Sequence, residues 1–155
     1  MSFEIDRESL LVRVPAAATL AAIERALDPA GLTLGVPVTD EAVGDWLSRG
    51  APGAPSSFAD PAGHLLAGLT ATLVNGRHLE VRPAPRRAVG PDLVALVVGM
   101  NERFASLEQV WLSVHLKGAR RVDIPFAGLP ADPPVTSDEA SLLDAIAREL
   151  SRTEE

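Results

Sequence analysis

The amino-acid sequence predicts an α+β domain with a mainly antiparallel sheet and helices on one side. Strand patterns follow one another through short turns, most clearly at Asn75-Gly76, instead of alternating with helices as in a parallel sheet. The chain of 155 residues is long enough for one domain. Apolar residues make up 46% of it but aromatic residues only 4%, so we expect a core built mainly from Val, Leu and Ala.

The first part of the chain predicts a hairpin followed by a helix. Phe3 and Ile5 alternate with polar residues, and residues 10–14 form the matching return strand. Thr19 is suited to cap a helix, because apolar residues then recur with helical spacing at Leu20, Ile23 and Leu27. A short strand is expected at residues 32–36.

The centre of the chain predicts a second helix, a loop and a long hairpin. The helix is expected to begin at Thr39-Asp40-Glu41, where a hydroxyl and two acids suit the positive end of a helix. Its apolar stripe consists of Val43, Trp46 and Leu47. Residues 50–57, rich in Gly, Pro and Ser, cannot extend it. Residues 64–74 and 77–82 are two strands joined by Asn75-Gly76, the strongest hairpin signal in the sequence.

The next segment predicts a short helix and two strands. Gly90-Pro91-Asp92 is typical of a helix start, and Gly99 ends the helix. Its inward-facing residues are expected to be Leu93, Leu96 and Val97. Strands are expected at residues 107–116 and 121–126.

The C-terminal part predicts a linker and one amphipathic helix. Residues 127–135 are Pro-rich, and Thr136-Ser137-Asp138-Glu139 is a capping-box pattern. The helix carries an apolar stripe of Leu142, Leu143, Ile146 and Leu150. We therefore expect a domain over residues 1–126 and a helix over residues 136–155 that packs on the same domain.

Charge and composition exclude several classes of protein. Fourteen basic and 21 acidic side chains give a net charge of −7, which argues against binding to nucleic acid or to an anionic membrane surface. The chain has no cysteine, so disulfides, thiolate metal sites and cysteine nucleophiles are excluded. No stretch is long and apolar enough for a membrane span, and no signal peptide is visible. We expect a soluble cytoplasmic protein.

The common catalytic motifs are absent. His64, His78 and His115 lack metal-ligand spacing, which favours three unrelated histidines. The sequence contains no G-x-S-x-G elbow and no G-x-x-x-x-G-K-[ST] or G-x-G-x-x-G loop. Arg86 and Arg87, just before a predicted helix, indicate either a local anion site or ion pairs with Asp92, Glu102 or Asp60.

Four ordered segments resemble the FAD-binding domain of the FAD-linked oxidases, the family that includes vanillyl-alcohol oxidase and the glycolate oxidase flavin subunit. Residues 41–53 resemble the family's turn T-v-G-G-x-[iv]-a-x-n-x-x-G, and residues 85–96 resemble its R-x-x-x-G-p-D-l-x-x-l-f run. Residues 63–76 are similar to the strand pair d-x-v-x-g-l-x-v-v-l-x-d-G. Residues 99–107 occupy the place of G-s-E-G-t-l-G-i-i-t. The resemblance covers roughly residues 3–126.

The resemblance implies FAD as the cofactor and a set of residues that contact it. Backbone contacts are carried over to Val43, Gly44, Gly53, Phe104, Ala105 and Leu107, and phosphate contacts to Arg86 and Arg87. The chain departs from the family where Asp45 replaces the second glycine of the turn, because a carboxylate there repels a pyrophosphate. The family's Gly-rich pyrophosphate loop and its substrate-binding cap have no counterpart in these 155 residues.

Two functions follow as hypotheses. In the first, the chain is a partial flavin domain of an oxidoreductase acting on an alcohol or hydroxy acid, with a protein partner or a second copy completing the flavin site. No residue is identified as its catalytic base. In the second, the chain is an inactive remnant that serves as a protein-interaction or regulatory module. An exposed patch would then contain Trp46, Phe58, Val97, Val98 and Trp111, whereas core burial is the competing explanation for them.

Overall fold

The computed structural model describes residues 3–54, 65–84, 93–118 and 137–151, and it confirms the predicted α+β class. Five strands form the main sheet, and each neighbouring pair in it is antiparallel. In chain order they are β1 (Glu4–Asp6), β2 (Leu11–Pro15), β4 (Leu66–Leu73), β5 (His78–Val81) and β6 (Ala105–Ser113). Their order across the sheet is β1-β2-β6-β4-β5, which places β6 at the centre.

The remaining elements are short, apart from the last helix. Strands β3 (Leu32–Thr33) and β7 (His115–Leu116) pair with each other in a separate two-stranded sheet. The α-helices are α1 (Leu20–Leu27), α2 (Val43–Ser48) and α3 (Ser137–Ser151), and 3-10 helices span Asp28–Ala30 and Leu93–Leu96. None of the helices in the described ranges combines the length and apolar character that crossing a membrane requires.

Both predicted hairpins form. In the β1–β2 turn, one carboxylate oxygen of Asp6 accepts hydrogen bonds from the Glu8 and Ser9 N–H groups at 2.9 and 3.0 Å. The backbone hydrogen bond from Ser9 is the main reason that the pKa of Asp6 is lowered. In the β4–β5 turn, Gly76 has a φ of +78°, which glycine adopts without steric cost.

One face of the main sheet carries the core. Strand residues such as Val12, Leu69 and Leu112 alternate inward and are fully buried. Helix α1 covers them with the apolar residues predicted for it, Leu20, Ile23 and Leu27. The Thr19 hydroxyl accepts a hydrogen bond from the Ala22 N–H at 3.1 Å, as expected of an N-cap. Helix α2 adds Val43, Trp46 and Leu47 to the same core.

Helix α2 begins later than the sequence predicts, at Val43 instead of near Thr39. The reason is a competing set of hydrogen bonds, because the Thr39 and Glu41 carbonyls accept from the Ala21 and Leu20 N–H groups at 2.9 and 3.0 Å. These bonds satisfy the free amides at the start of α1. Residues 39–41 therefore run alongside the start of α1 instead of coiling into a helix.

Three further predictions differ from the structure in detail. The strand expected at 107–116 is divided at Val114 into β6 and β7, which belong to different sheets. The strand expected at 32–36 is reduced to β3. Leu93 was expected to face inward, but it is 36% exposed because a short 3-10 helix replaces the predicted α-helix. The strand expected at 121–126 and the linker lie outside the described residues.

Helix α3 has the predicted position but contributes no fully buried residue among those described. The apolar stripe is half-buried at Leu143, Ile146 and Leu150, whereas Leu142 is exposed. Arg103 pairs with Asp144 of this helix at 2.6 Å. This ion pair ties α3 to the segment that leads into β6.

Candidate functional site

Two loops from distant parts of the chain meet at the C-terminal end of α2. The first comprises residues 49–54, and the second comprises residues 97–104, which lead into β6; together we call them the junction. The Gly99 N–H donates to the Leu47 carbonyl at 3.1 Å, and the Asn101 N–H donates to the Ser48 carbonyl at 2.9 Å. The structure thus brings together parts of two segments, 41–53 and 99–107, that resemble flavin-domain motifs.

The junction concentrates unusual backbone conformations. Of the four described non-glycine residues with positive φ, three lie in it: Ala51 (52°), Asn101 (48°) and Glu102 (58°). Gly50, Gly53 and Gly99 have positive φ as well. The Arg103 N–H donates to the Met100 carbonyl at 3.0 Å, which closes a tight turn around Asn101 and Glu102. Backbone strain that the surrounding structure enforces is typical of functional sites.

Trp46 fixes the first loop. Its indole is buried in the core, and its Nε1–H donates to the Pro52 carbonyl at 3.0 Å. The Ala51 N–H donates back to the Trp46 carbonyl at 2.9 Å. At Gly53 a Cβ atom would lie 2.8 Å from the Pro37 ring, so only glycine fits there. The loop is therefore positioned by packing and does not depend on a ligand.

The structure places the predicted flavin contacts Val43 and Gly44 inside the protein. Their N–H groups donate to the Ala18 and Ala16 carbonyls, each at 2.8 Å. A Cβ on Gly44 would lie 3.0 Å from the Ala16 Cβ and 3.2 Å from its carbonyl oxygen. Gly44 thus allows α2 to approach the end of β2, and its amide is already used.

The other predicted contacts divide between the junction and the sheet. Gly53 is exposed in the junction. Phe104 and Ala105 are buried, and the Phe104 carbonyl accepts from the Val74 N–H at 3.0 Å. Leu107 is half-buried and pairs with β4. Arg86 and Arg87 lie outside the described residues, so their predicted role stays a prediction.

The positive charges at the junction are already paired. Arg49 donates to one oxygen of Glu41 through Nε at 2.9 Å and Nη2 at 2.5 Å. Arg103 donates to Asp144 at 2.6 Å. Asp45, in the first turn of α2, and Glu102 are exposed carboxylates that add negative charge.

These groups do not fit the pyrophosphate of FAD. A pyrophosphate needs cations or several free N–H donors. In the described residues, the arginines of the junction are paired with carboxylates and the amides of Val43 and Gly44 are used. The exposed carboxylates of Asp45 and Glu102 add negative charge nearby. The backbone groups and half-buried apolar side chains of the junction suit an uncharged part of a ligand better.

The strained residues of the junction do not stand out as a group in the amino-acid sequence. Asn101 was the available signal, because asparagine tolerates positive φ better than other non-glycine residues. Glu102 falls where the family motif has a glycine, and its φ of +58° shows that the backbone keeps the conformation that glycine would favour.

An open concavity lies on the opposite face of the main sheet. The Arg13 guanidinium lies over the Trp111 ring at 4.8 Å from its centroid, and Arg82 and Glu80 line the other side. The Arg13 Nε is buried and has no hydrogen-bond partner among the described parts of the chain. None of the predicted cofactor-binding residues that the structure describes lines this concavity.

The residues that the sequence suggested for an exposed apolar patch are mostly buried or half-buried. Trp46 and Val97 are each only 2% exposed, and Val98 and Trp111 are half-buried. Phe58 lies outside the described residues. Within those residues no group of three or more His, Asp or Glu side chains could hold a metal ion.

Solved structures of a larger enzyme have a similar fold over most of this chain. Alkyldihydroxyacetonephosphate synthase in its P212121 form matches with a TM-score of 0.60 and 18% identity, over 73% of this chain and 20% of the synthase chain. Its P1 form matches with a TM-score of 0.60 and 17% identity, over 73% and 21%. No family model and no curated protein matches the sequence. The chain spans about a fifth of the length of these neighbours, and the likeness concerns the fold.

Proposed function

We propose that this chain is the flavin-binding part of an FAD-linked oxidoreductase and that a second polypeptide segment or a partner protein completes the site. The synthase that shares its fold is an FAD-linked oxidase family member, which supports an FAD-binding oxidoreductase-like fold. When bound, the flavin would supply the redox chemistry for an alcohol or hydroxy acid. The chain's own residues would position the flavin, and none is assigned as a catalytic base.

One observation carries this proposal. Two segments that resemble flavin-domain motifs are far apart in the sequence, yet the hydrogen bonds of Gly99 and Asn101 hold them together at the junction. Strained backbone is concentrated at the same place. A resemblance due to chance would not be expected to bring both segments to one surface.

The need for a second component follows from the groups that the junction lacks. The described residues do not provide a cradle for the pyrophosphate, so that part of the cofactor requires donors from elsewhere. These donors belong either to a partner or to another part of the polypeptide. The proposal therefore expects weak flavin binding by the chain alone and tighter binding in a complex.

The test is a titration of the purified chain with FAD, in which binding is measured by calorimetry and by the change in the flavin absorption band. Met100→Glu replaces a half-buried apolar side chain of the second loop with one that carries a carboxylate. We expect it to weaken binding at least tenfold. Leu116→Glu is the matched control, because Leu116 is 55% exposed and follows the other end of β6.

The control should bind like the unmodified chain. Met100 lies before the start of β6 and Leu116 beyond its end, and the nine residues of the strand span about 26 Å at roughly 3.3 Å per residue. Equal loss of binding in both variants would contradict a site at the junction. Absence of flavin binding by the unmodified chain would contradict the proposed function.

One observation supports the alternative hypothesis that the chain is an inactive remnant that serves as an interaction module. The concavity of Arg13 and Trp111 combines two residue types that dominate protein–protein binding energy. If no flavin binds, that surface becomes the candidate for an interaction module, and Trp111→Ala tests it in any complex recovered with the protein.

A further inference from the structure

We propose that the outer edge of β5 is a self-association surface, at which β5 of a second copy of this chain pairs antiparallel and joins the two five-stranded sheets into one. Strands β1 and β5 are the two outer strands of the main sheet. This surface is separate from the junction, and the proposal does not depend on flavin binding.

The backbone groups at the β5 edge are available for pairing. The Leu73 N–H donates to the Arg77 carbonyl at 2.9 Å, and hydrogen-bonded positions alternate from there along the β4–β5 ladder. The backbone groups of Leu79 and Val81 therefore face β4. The outward groups have no partner in the described ranges and belong to three alternate residues, His78, Glu80 and Arg82.

A proline next to this edge does not interrupt its row of donors. The chain stays alongside β4 as far as Pro83, because a Cβ on Gly68 would lie 2.5 Å from the Val81 carbonyl oxygen and 3.0 Å from the Pro83 nitrogen. The Pro83 nitrogen therefore faces β4, and the N–H that proline lacks is not one of the outward donors. The edge keeps its outward N–H groups through Arg82.

The charges of the edge select one register. Glu80 and Arg82 are exposed on the same face, where the Arg82 Nε donates to the Glu80 Oε1 at 2.8 Å. A two-fold axis at Val81 places Glu80 of each copy opposite Arg82 of the other, so two complementary pairs form. Because the pair within one copy is exposed to solvent, exchanging it for pairs between copies costs little.

The same register also brings apolar side chains together. Val81 lies opposite Val81 of the second copy, and Leu79 lies opposite Pro83 of the second copy. All three residue types are half-buried in one copy, so each has surface left to cover. Cross-strand pairs of β-branched residues stabilise antiparallel sheets.

The opposite edge of the sheet disfavours the equivalent pairing. Glu4 and Asp6 flank Ile5 on β1 and are exposed. A two-fold axis at Ile5 sets Glu4 against Asp6 of the second copy, and a shift by one residue sets one of these acids against itself. Arg13 pairs with Glu4 only from the inner side, on β2. Like charges opposite each other destabilise a pair of strands and protect an edge from association.

The first experiment uses single cysteines, because the chain has none of its own. In Val81→Cys the two Cα atoms at the axis would be about 4.5 Å apart, which a disulfide can span. We expect mild oxidation with diamide to convert most of this variant to a covalent dimer. Ile5→Cys is the matched control, since Ile5 is also half-buried at the middle of an outer strand; it should stay largely monomeric.

The second experiment is sedimentation equilibrium of the full chain. A short edge covers less than the roughly 1,000 Å² of a stable interface, so we expect a dissociation constant on the order of 100 μM. Glu80→Arg and Arg82→Glu should each raise it at least about tenfold, because both pairs become like-charged. The double variant E80R/R82E should return to within about threefold of the unmodified chain. The single variants change the net charge in opposite directions, so a common effect cannot come from net charge.

The outcomes decide the proposal without reference to flavin. Crosslinking of Val81→Cys together with rescue by the double variant supports it. A chain that stays monomeric at about 1 mM, or Val81→Cys crosslinking no faster than Ile5→Cys, overturns it. Glu80 and Arg82 amides that are protected from hydrogen exchange in the dilute monomer would overturn it too, because another segment of the chain would then occupy the edge.

Discussion

Gly44→Ala tests whether Gly44 serves packing or cofactor approach. The new Cβ would lie 3.0 Å from the Ala16 Cβ, well inside ordinary van der Waals distance, and 3.2 Å from the Ala16 carbonyl oxygen. That carbonyl also accepts the Gly44 N–H at 2.8 Å, so it cannot move away without losing the bond. The helix start must therefore shift relative to the end of β2.

The magnitude is a balance of two terms. Overpacking by one methyl group costs about 1–3 kcal/mol. Alanine gains up to about 1 kcal/mol over glycine in a helix interior, and less in the first turn. We expect the free energy of unfolding to fall by about 1–2 kcal/mol, which corresponds to roughly 2–8 °C in Tm for a chain of this size.

The assay is urea unfolding followed by tryptophan fluorescence, since Trp46 is buried on α2 itself. Adding Ala16→Gly to Gly44→Ala removes the closest contact, so the double variant should recover part of the loss. The coupling energy between the two sites should exceed about 0.5 kcal/mol. If Gly44→Ala were as stable as the unmodified chain or more stable, the packing explanation would be refuted.

Three further predictions concern the junction and the surface. Glu102→Gly should raise the free energy of unfolding by about 0.5–1 kcal/mol. Glycine relieves the strain of the left-handed backbone, and this gain exceeds the extra conformational entropy that glycine gives to the unfolded chain. A lower urea midpoint for the variant would count against strain at the Glu102 φ of +58°. Trp46→Phe should lower the free energy of unfolding by about 2 kcal/mol, because it removes the hydrogen bond to the Pro52 carbonyl and leaves a void where the buried indole packs, and thermal unfolding measures this loss. The hydrogen bond to Asp28 raises the pKa of Lys117 above its ordinary 10.5, so its stabilising contribution is complete below pH 10.5 and is lost as the pH rises through the higher value. Because Lys117 is the single lysine and the chain has no tyrosine or cysteine, Lys117→Met should abolish the fall in Tm with pH in that alkaline range.

Local signals predicted the elements well where one short segment decides the structure. Asn75-Gly76 determines its hairpin through the backbone preferences of two residues, and Thr19 caps α1 through one hydroxyl. The capping-box pattern predicted where α3 begins. These features need no information from the rest of the chain.

Predictions failed where distant segments compete for the same groups. Thr39 and Glu41 resemble a helix start, but their carbonyls accept the free amides of α1 instead. The central position of β6 depends on pairing with β2 and β4, which are far apart in the sequence. Local periodicity carries no information about such pairing.

The candidate site was predicted in part. The motif resemblance selected both segments that meet at the junction and included Gly53. It also selected Val43 and Gly44, whose amides the structure uses internally. A glycine required for packing and a glycine required for ligand approach look alike in a sequence, because both positions exclude a Cβ atom.

The most direct test of the central claim is an amide chemical-shift map of the isotope-labelled chain titrated with riboflavin. If the junction is the flavin surface, saturable shifts should concentrate in residues 49–54 and 97–104, with the Gly53 and Glu102 amides among the largest. The Val43 and Gly44 amides should stay protected from hydrogen exchange with and without ligand. Shifts centred instead on Arg13 and Trp111, or no saturable shifts at all, would contradict the account.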